Sequence, residues 1–251
     1  LFLSVGAQFN HEQLTRVYEW FANGLRFIHP DIGSSVQPGS SAEILCQRVH
    51  RDRLLRLLRH ADLGIADAQV VERDDGMIPL PQGLWLSLGG GLDADGRPSS
   101  MKRLEVSLTH QADGVDPVAL DFEKEESAGT RRFFSLVGPW TDVLDHGRTV
   151  FVDEIETSLH PNLVKELLRL FLSNEGNPKG AQVVFTTHNP LLLDGTLMRR
   201  DQVWFTEKSK AGATHLYPLT DYQPRKDEAL AKGYLAGRYG AIPFMPEGLK
   251  L

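Results

Sequence analysis

The 251-residue sequence has a single cysteine, Cys46. No intrachain disulfide can form, and no zinc site built on several thiolates is available. Positive charge is not in excess. The 27 Lys and Arg face 33 Asp and Glu, for a formal net charge of -6 and a pI near 5.9. That balance argues against a chain that coats nucleic acid over its whole surface, though it leaves room for a local basic patch. No apolar run approaches the length of a membrane span. The apolar opening Leu1 to Ala7 lacks the basic flank and the length of a signal peptide. There is no G-x-S-x-G elbow and no H-E-x-x-H, so serine-hydrolase and zinc-protease readings have no support. Internal repeats and low-complexity tracts are also missing. With 41% hydrophobic and 24% charged residues, the composition is globular. A reducing, cytoplasmic location is the expectation.

Leu1 to Ala7 reads as a strand or as the continuation of an upstream segment. From Phe9 to Ile28 the apolar residues Leu14, Val17, Tyr18, Phe21, Leu25 and Ile28 fall at helical spacing, with Asn10 as N-cap. Asp31 to Ser41 is a loop by composition. A second helix is predicted from about Ala42 to Ala61. Its polar face holds Arg48, Arg51, Arg53, Arg56 and Arg59. Residues 66–120 read as short strands around Gln69–Glu72, Leu84–Leu88 and Leu104–Leu108, punctuated by Asp75-Gly76, Asp95-Gly96 and Asp113-Gly114. After Glu123 the pattern changes. A helix over about Ser127–Asp145, a buried strand Thr149–Asp153, a helix Pro161–Leu172 and further apolar strands at Gln182–Thr186 and Gln202–Phe205 predict a parallel sheet covered on both faces.

The strongest chemical signal is Thr149-Val150-Phe151-Val152-Asp153-Glu154. Ligands of open α/β sheets bind at the carboxyl ends of strands. An acid there can hold Mg²⁺ as a hard oxygen ligand, and a second acid can take a proton from an attacking water. Taken alone, a strand ending in an acidic turn explains the same residues equally well. The neighbours tip the balance. Ser158-Leu159-His160-Pro161 follows, with Pro161 suited to the first turn of a helix. A second buried strand ends in Thr186-Thr187-His188-Asn189-Pro190. Upstream, Glu126-Ser127-Ala128-Gly129-Thr130 opens a helix, where a hydroxyl and free N–H groups suit a phosphate.

In this order the segments resemble the ABC-class ATPases. They are most similar to bacterial AAA-family ATPases of the ABC-like type, relatives of the ATPase half of OLD-family nucleases and of phage-defence and abortive-infection ATPases. The resemblance covers most of the chain and is densest from Glu126 onward; the tail Arg200–Trp204 and Gly237–Pro243 shares it. It implies a P-loop NTPase fold of α/β class, with helices on both faces of a parallel sheet and an antiparallel β and helical insertion. It divides the chain into an arm (1–125), a core with signature helix, Walker B, D-loop and H-loop (126–208) and a tail packed on the core (209–251). It implies ATP and Mg²⁺ as ligands and an ATP-driven dimer of two heads. Asp153 would help hold Mg²⁺, Glu154 would polarise water and His188 would contact the γ-phosphate. Ser127, Gly129 and Thr130 of the signature, with Ser158 of the D-loop, would serve the partner's nucleotide.

The sequence departs from the family pattern in lacking a phosphate loop of the form G-x-x-x-x-G-K-S/T. Gly91 to Gly96 has the outer glycines, but Asp93 and Asp95 inside it would repel phosphate and Pro98 removes a donor. A hairpin turn is the better reading. The expectation is that the phosphate loop lies upstream of Leu1 and that this chain alone binds ATP weakly or not at all. Two other readings compete. One is a nucleotide-independent scaffold. The other is a nucleic-acid module on the Arg48–His60 helix, against which stands a solvated face paired with acids elsewhere. Arg131 and Arg132 have reach toward a phosphate or a partner carboxylate, with surface salt bridges equally plausible. His160 reads as structural. The residues after His188 hold Glu207, Asp221, Asp227 and Glu228 but no compact acidic cluster of a nuclease.

Overall fold

A computed structural model of the chain describes residues 2–28, 39–61, 63–74, 78–79, 85–86, 102–111, 114–225 and 227–243. The Gly91–Gly96 turn, Asp75-Gly76, Asp95-Gly96, Asp113 and most of the 31–41 loop lie outside these residues.

The chain opens with helices α1 (Phe2–Gln8) and α2 (Glu12–Gly24), then strand β1 (Leu25–Ile28). The opening segment is therefore helical rather than extended, and the expected helix over 9–28 is shorter at both ends. Asn10 is not the cap; it turns the chain with φ +55. His11 caps α2 instead, its Nδ1 accepting from the Leu14 N–H at 3.5 Å. Helices α3 (Gly39–Cys46) and α4 (Arg48–His60) replace the single helix expected there. Strands β2 (Ile65–Asp74), β3 (Ile78–Pro79), β4 (Trp85–Leu86), β5 (Lys102–His110) and β6 (Val118–Asp121) follow. β2-β5-β6 make one antiparallel sheet and β3-β4 a second.

Helix α5 (Ala128–His146) then leads into β7 (Thr149–Val152), α6 (Pro161–Leu172) and β8 (Gln182–Phe185). β1, β7 and β8 form a three-stranded parallel sheet in that order, flanked by helices. The register aligns Ile28, Val152 and Phe185, so the three strands end level with one another. The third parallel strand is thus β1. The segment around Gln202–Phe205, expected in that sheet, instead starts β9 (Trp204–Lys208), which pairs antiparallel with β10 (Thr214–Pro218). A last helix, α7 (Leu230–Leu235), packs in the same C-terminal cluster.

Alternation along the sheet explains the layering. Val150 and Val152 are 0% and 2% exposed and point toward α5 and α6, while on the opposite face Phe27 stacks on Phe151 at 5.0 Å and remains 61% exposed. Helix α5 is the central beam. It buries Phe133, Phe134, Leu136, Val137, Trp140, Val143 and Leu144. Each such side chain contributes about 1.5–3 kcal/mol of transfer free energy. Its ends follow helix rules. Ser127 caps the start, and Gly147, at φ +65, closes the end in the left-handed conformation that favours glycine. The Trp140 indole donates to the Leu167 carbonyl of α6 at 3.2 Å, fixing the second helix against the first.

α5 is also held against α3. The Ser41 hydroxyl, 1% exposed, bridges the Phe134 carbonyl and the Gly138 N–H. This contact sits one residue before Pro139, where the helix ladder loses a donor. Among the described residues, no helix is long and apolar enough to cross a membrane.

Candidate functional site

The parallel sheet creates the site because β7 and β8 end side by side. The chain leaves β7 at Asp153 and turns at once. Ile155 folds back as a plug, 0% exposed, with its N–H donating to the Thr186 carbonyl at 3.1 Å. Short bonds from Thr157 N–H to Glu154 O and from Leu159 N–H to Glu156 O close the turn. Glu154 and Ser158 both sit at positive φ, +46 and +61. For non-glycine residues this conformation costs of order 1–2 kcal/mol each. Two such residues in one turn mark a segment shaped for something other than stability.

Thr186, the residue after β8, ties the two strand ends together. Its hydroxyl accepts from the Glu154 N–H at 2.8 Å and donates to Asp153 Oδ1 at 2.6 Å. Asp153 is exposed, with its carboxylate at the sheet end. Glu154 Oε2 accepts from the Thr157 hydroxyl at 3.2 Å, and Glu154 Oε1 lies 3.7 Å from His188 Nε2. The His188 imidazole is 86% exposed and the Glu154 carboxylate 44%. Across the gap, the His188 N–H donates to Glu156 Oε1 at 2.6 Å. The strand ends thus present two carboxylates, an imidazole and a bridging hydroxyl to solvent on one edge.

The second group lies at the start of α5. The Ser127 hydroxyl accepts from the Thr130 N–H at 3.0 Å and is 2.8 Å from the Thr130 hydroxyl. Thr130 is only 6% exposed and braces the Ser127 hydroxyl. The geometry of a helix start leaves the first N–H groups without intrahelical acceptors. Gly129 meets the β7 turn directly. A Cβ at this position would lie 2.9 Å from the Ser158 carbonyl oxygen. The close approach therefore needs glycine, and it joins the two groups.

Of the residues singled out in the sequence, Asp153, Glu154 and His188 come together. Ser127 and Gly129 reach this cluster through Ser158. His160 is structural, as expected: its Nδ1 accepts from the Asn162 N–H at the start of α6. Arg132 is buried rather than at the surface. It is 3% exposed within α5, and burial lowers its pKa. Arg131 donates to the Glu123 carbonyl. Thr186 and Glu156 were missed by sequence reasoning. Both lie inside the motifs that pointed to the site, but nothing in a linear pattern shows that they bond across 32 or 33 positions.

A family model described as "AAA domain, putative AbiEii toxin, Type IV TA system" matches residues 48–194. The chain belongs to this family. The match spans α4 to the turn beyond β8 and so includes every residue of the site described above. No curated protein matches the chain. Membership places the chain among AAA-type nucleotide-binding ATPases, and the α/β fold with its parallel sheet agrees. Among the described residues, no group of three or more His, Cys, Asp and Glu is arranged to cage a metal.

Proposed function

We propose that the chain forms part of an ABC-like ATPase head that works as an ATP-driven dimerisation switch, in a toxin–antitoxin or phage-defence system of the cytoplasm. The observation that carries the reading is the convergence of Asp153, Glu154 and His188 at the carboxyl ends of two adjacent parallel strands, where α/β folds bind ligands. Asp153, exposed and braced by Thr186, is the Walker B acid that would hold Mg²⁺. When bound, the metal neutralises negative charge on the phosphate oxygens. Glu154, oriented by its N–H bond to Thr186, accepts a proton from the attacking water. His188, 3.7 Å from Glu154, donates to the γ-phosphate. The Ser127 hydroxyl and the N–H groups at the start of α5 serve a nucleotide held by a second head. The family description, with its toxin–antitoxin term, supports the biological setting.

The test is Mg-ATP turnover and nucleotide retention in the whole protein, wild type against Glu154→Gln. The substitution should remove turnover, keep nucleotide bound and raise the dimer fraction. No turnover in the wild type, or turnover that survives the substitution, overturns the reading.

A further inference from the structure

We infer that Glu156 is a positioning residue, one that holds the His188 turn in register with the turn carrying Glu154. The inference rests on the proposed ATPase reading. Among the described residues, little else holds His188. Its imidazole is 86% exposed, and its contact with Glu154 is a loose 3.7 Å. The firm contact is at the backbone, where the His188 N–H donates to Glu156 Oε1 at 2.6 Å. Glu156 is itself well anchored. The buried Ile155 before it and the Glu156 carbonyl, which accepts from the Leu159 N–H, fix its backbone.

The second carboxylate oxygen tells against a purely stabilising role. Glu156 Oε2 is buried with no hydrogen-bond partner among the described residues. An unsatisfied buried oxygen costs about as much as the charge-assisted bond to His188 returns. The pair therefore adds little net stability, and what remains is geometry. It sets where the turn after β8 stands relative to the turn after β7, and so the distance between the His188 ring and the Glu154 carboxylate. Glutamine at 156 keeps an acceptor for the His188 N–H; alanine does not.

The experiment compares wild type, Glu156→Gln and Glu156→Ala in the whole protein. The readouts are thermal unfolding, the chemical shift and hydrogen exchange of the His188 amide by NMR, and kcat and KM for Mg-ATP. In Glu156→Ala the His188 amide should lose its protection. Its kcat should fall about tenfold or more with KM little changed, while the unfolding temperature stays near wild type. Glu156→Gln should keep the amide signature and most of the turnover. An unchanged His188 amide in Glu156→Ala overturns the inference. So does a parallel loss of stability and turnover in both variants, which would mark a merely structural residue. Wild type without turnover would defeat the ATPase reading, and with it any bearing of Glu156 on that reaction. The amide and unfolding readouts would still decide whether Glu156 sets the His188 turn.

Discussion

Replacing Gly129 by alanine tests whether the start of α5 and the β7 turn act as one unit. A Cβ at 129 would sit 2.9 Å from the Ser158 carbonyl oxygen, inside ordinary contact distance. The opposing atom is backbone, so no side-chain rotation relieves the clash. In an unobstructed helix the same substitution stabilises by up to about 1 kcal/mol. Overpacking of this kind costs about 1–3 kcal/mol. The net expectation is a loss of about 1 kcal/mol, which lowers Tm by roughly 2–4 °C in a chain of this size. The sign is therefore opposite to helix propensity. Ser158, at φ +61, is the residue that must give way. Ser158→Gly removes a left-handed penalty of about 1–2 kcal/mol and adds about 0.5–1 kcal/mol of unfolded-state entropy, for a small net gain. It also lets the turn move, so the double variant should recover about 0.5–1 kcal/mol beyond additivity. The assay is thermal unfolding of the four proteins of the cycle, with Mg-ATP turnover of the whole protein in parallel. Gly129→Ala at or above the wild-type Tm, with additive behaviour in the double variant, refutes the coupling.

Gly138→Ala offers a second test of sign: its Cβ would lie 2.6 Å from Ser41 N and 2.7 Å from Ser41 Cα, so Tm should fall by about 4–8 °C, where an open helix would gain. Asp194 is held at a pKa of about 2 by hydrogen bonds from the Thr196 backbone and hydroxyl, then from Lys165. Because this pKa is lowered, the stabilisation is present above the ordinary value near 3.8 and is lost as pH falls toward 2. Asp194→Asn should cost about 1 kcal/mol at neutral pH, allowing for solvent screening of a carboxylate 31% exposed, and its Tm should converge on wild type near the acid end of that window. Tyr217 is pushed up to about 12, mainly by burial and then by Tyr222 and Glu207. Its raised pKa gives stability that is complete below the ordinary value of 10 and lost as pH climbs toward 12; Tyr217→Phe should remove one late step from the phenolate absorbance titration and weaken that alkaline loss.

The sequence was most legible where order along the chain and chemistry coincide. The strand ending at Asp153, the helix opened by Pro161 and the strand before Thr186 are local patterns, and the structure keeps all three. β1 was illegible for a physical reason. Leu25 and Ile28 continue the helical spacing of α2, and only pairing with Thr149–Val152, more than 120 positions away, makes them a strand. β9 shows the converse. Its apolar run reads as a buried parallel strand, yet the nearby turn around Gly212 returns the chain as β10, and the local hairpin wins. The break at Gln47 between α3 and α4 carries no proline or glycine, so propensity could not mark it. Glu156 and Thr186 belong to the same class of miss: each matters through one bond across two turns, which no periodicity encodes.

The arginine-rich helix α4 gains its meaning from the same kind of long-range bond. Arg51 donates to Asp67 and to the Ala68 carbonyl, Arg59 to the Ala66 carbonyl, and Arg53 to Asp145 and the Gly176 carbonyl. His50 stands 3.1 Å from the same Asp145. Arg51, Arg53 and Arg59 are thus engaged within the chain, while Arg56 stays exposed. Arg53 and His50 fasten α4 to α5 through Asp145, while Arg51 and Arg59 fasten it to β2. Asp145 lies in the last turn of that helix. At the other end, His110 of β5 bonds the buried Glu126 at 2.6 Å, one residue before Ser127. α4 and β5 thus hold α5 at its two termini, and the contact at its start falls beside the Ser127–Gly129 turn. Breaking the His110–Glu126 bond would leave a buried carboxylate without that partner. That loss is costly for a side chain 2% exposed. Gly129, three residues on from Glu126, rests against the Ser158 carbonyl of the turn that holds Glu154.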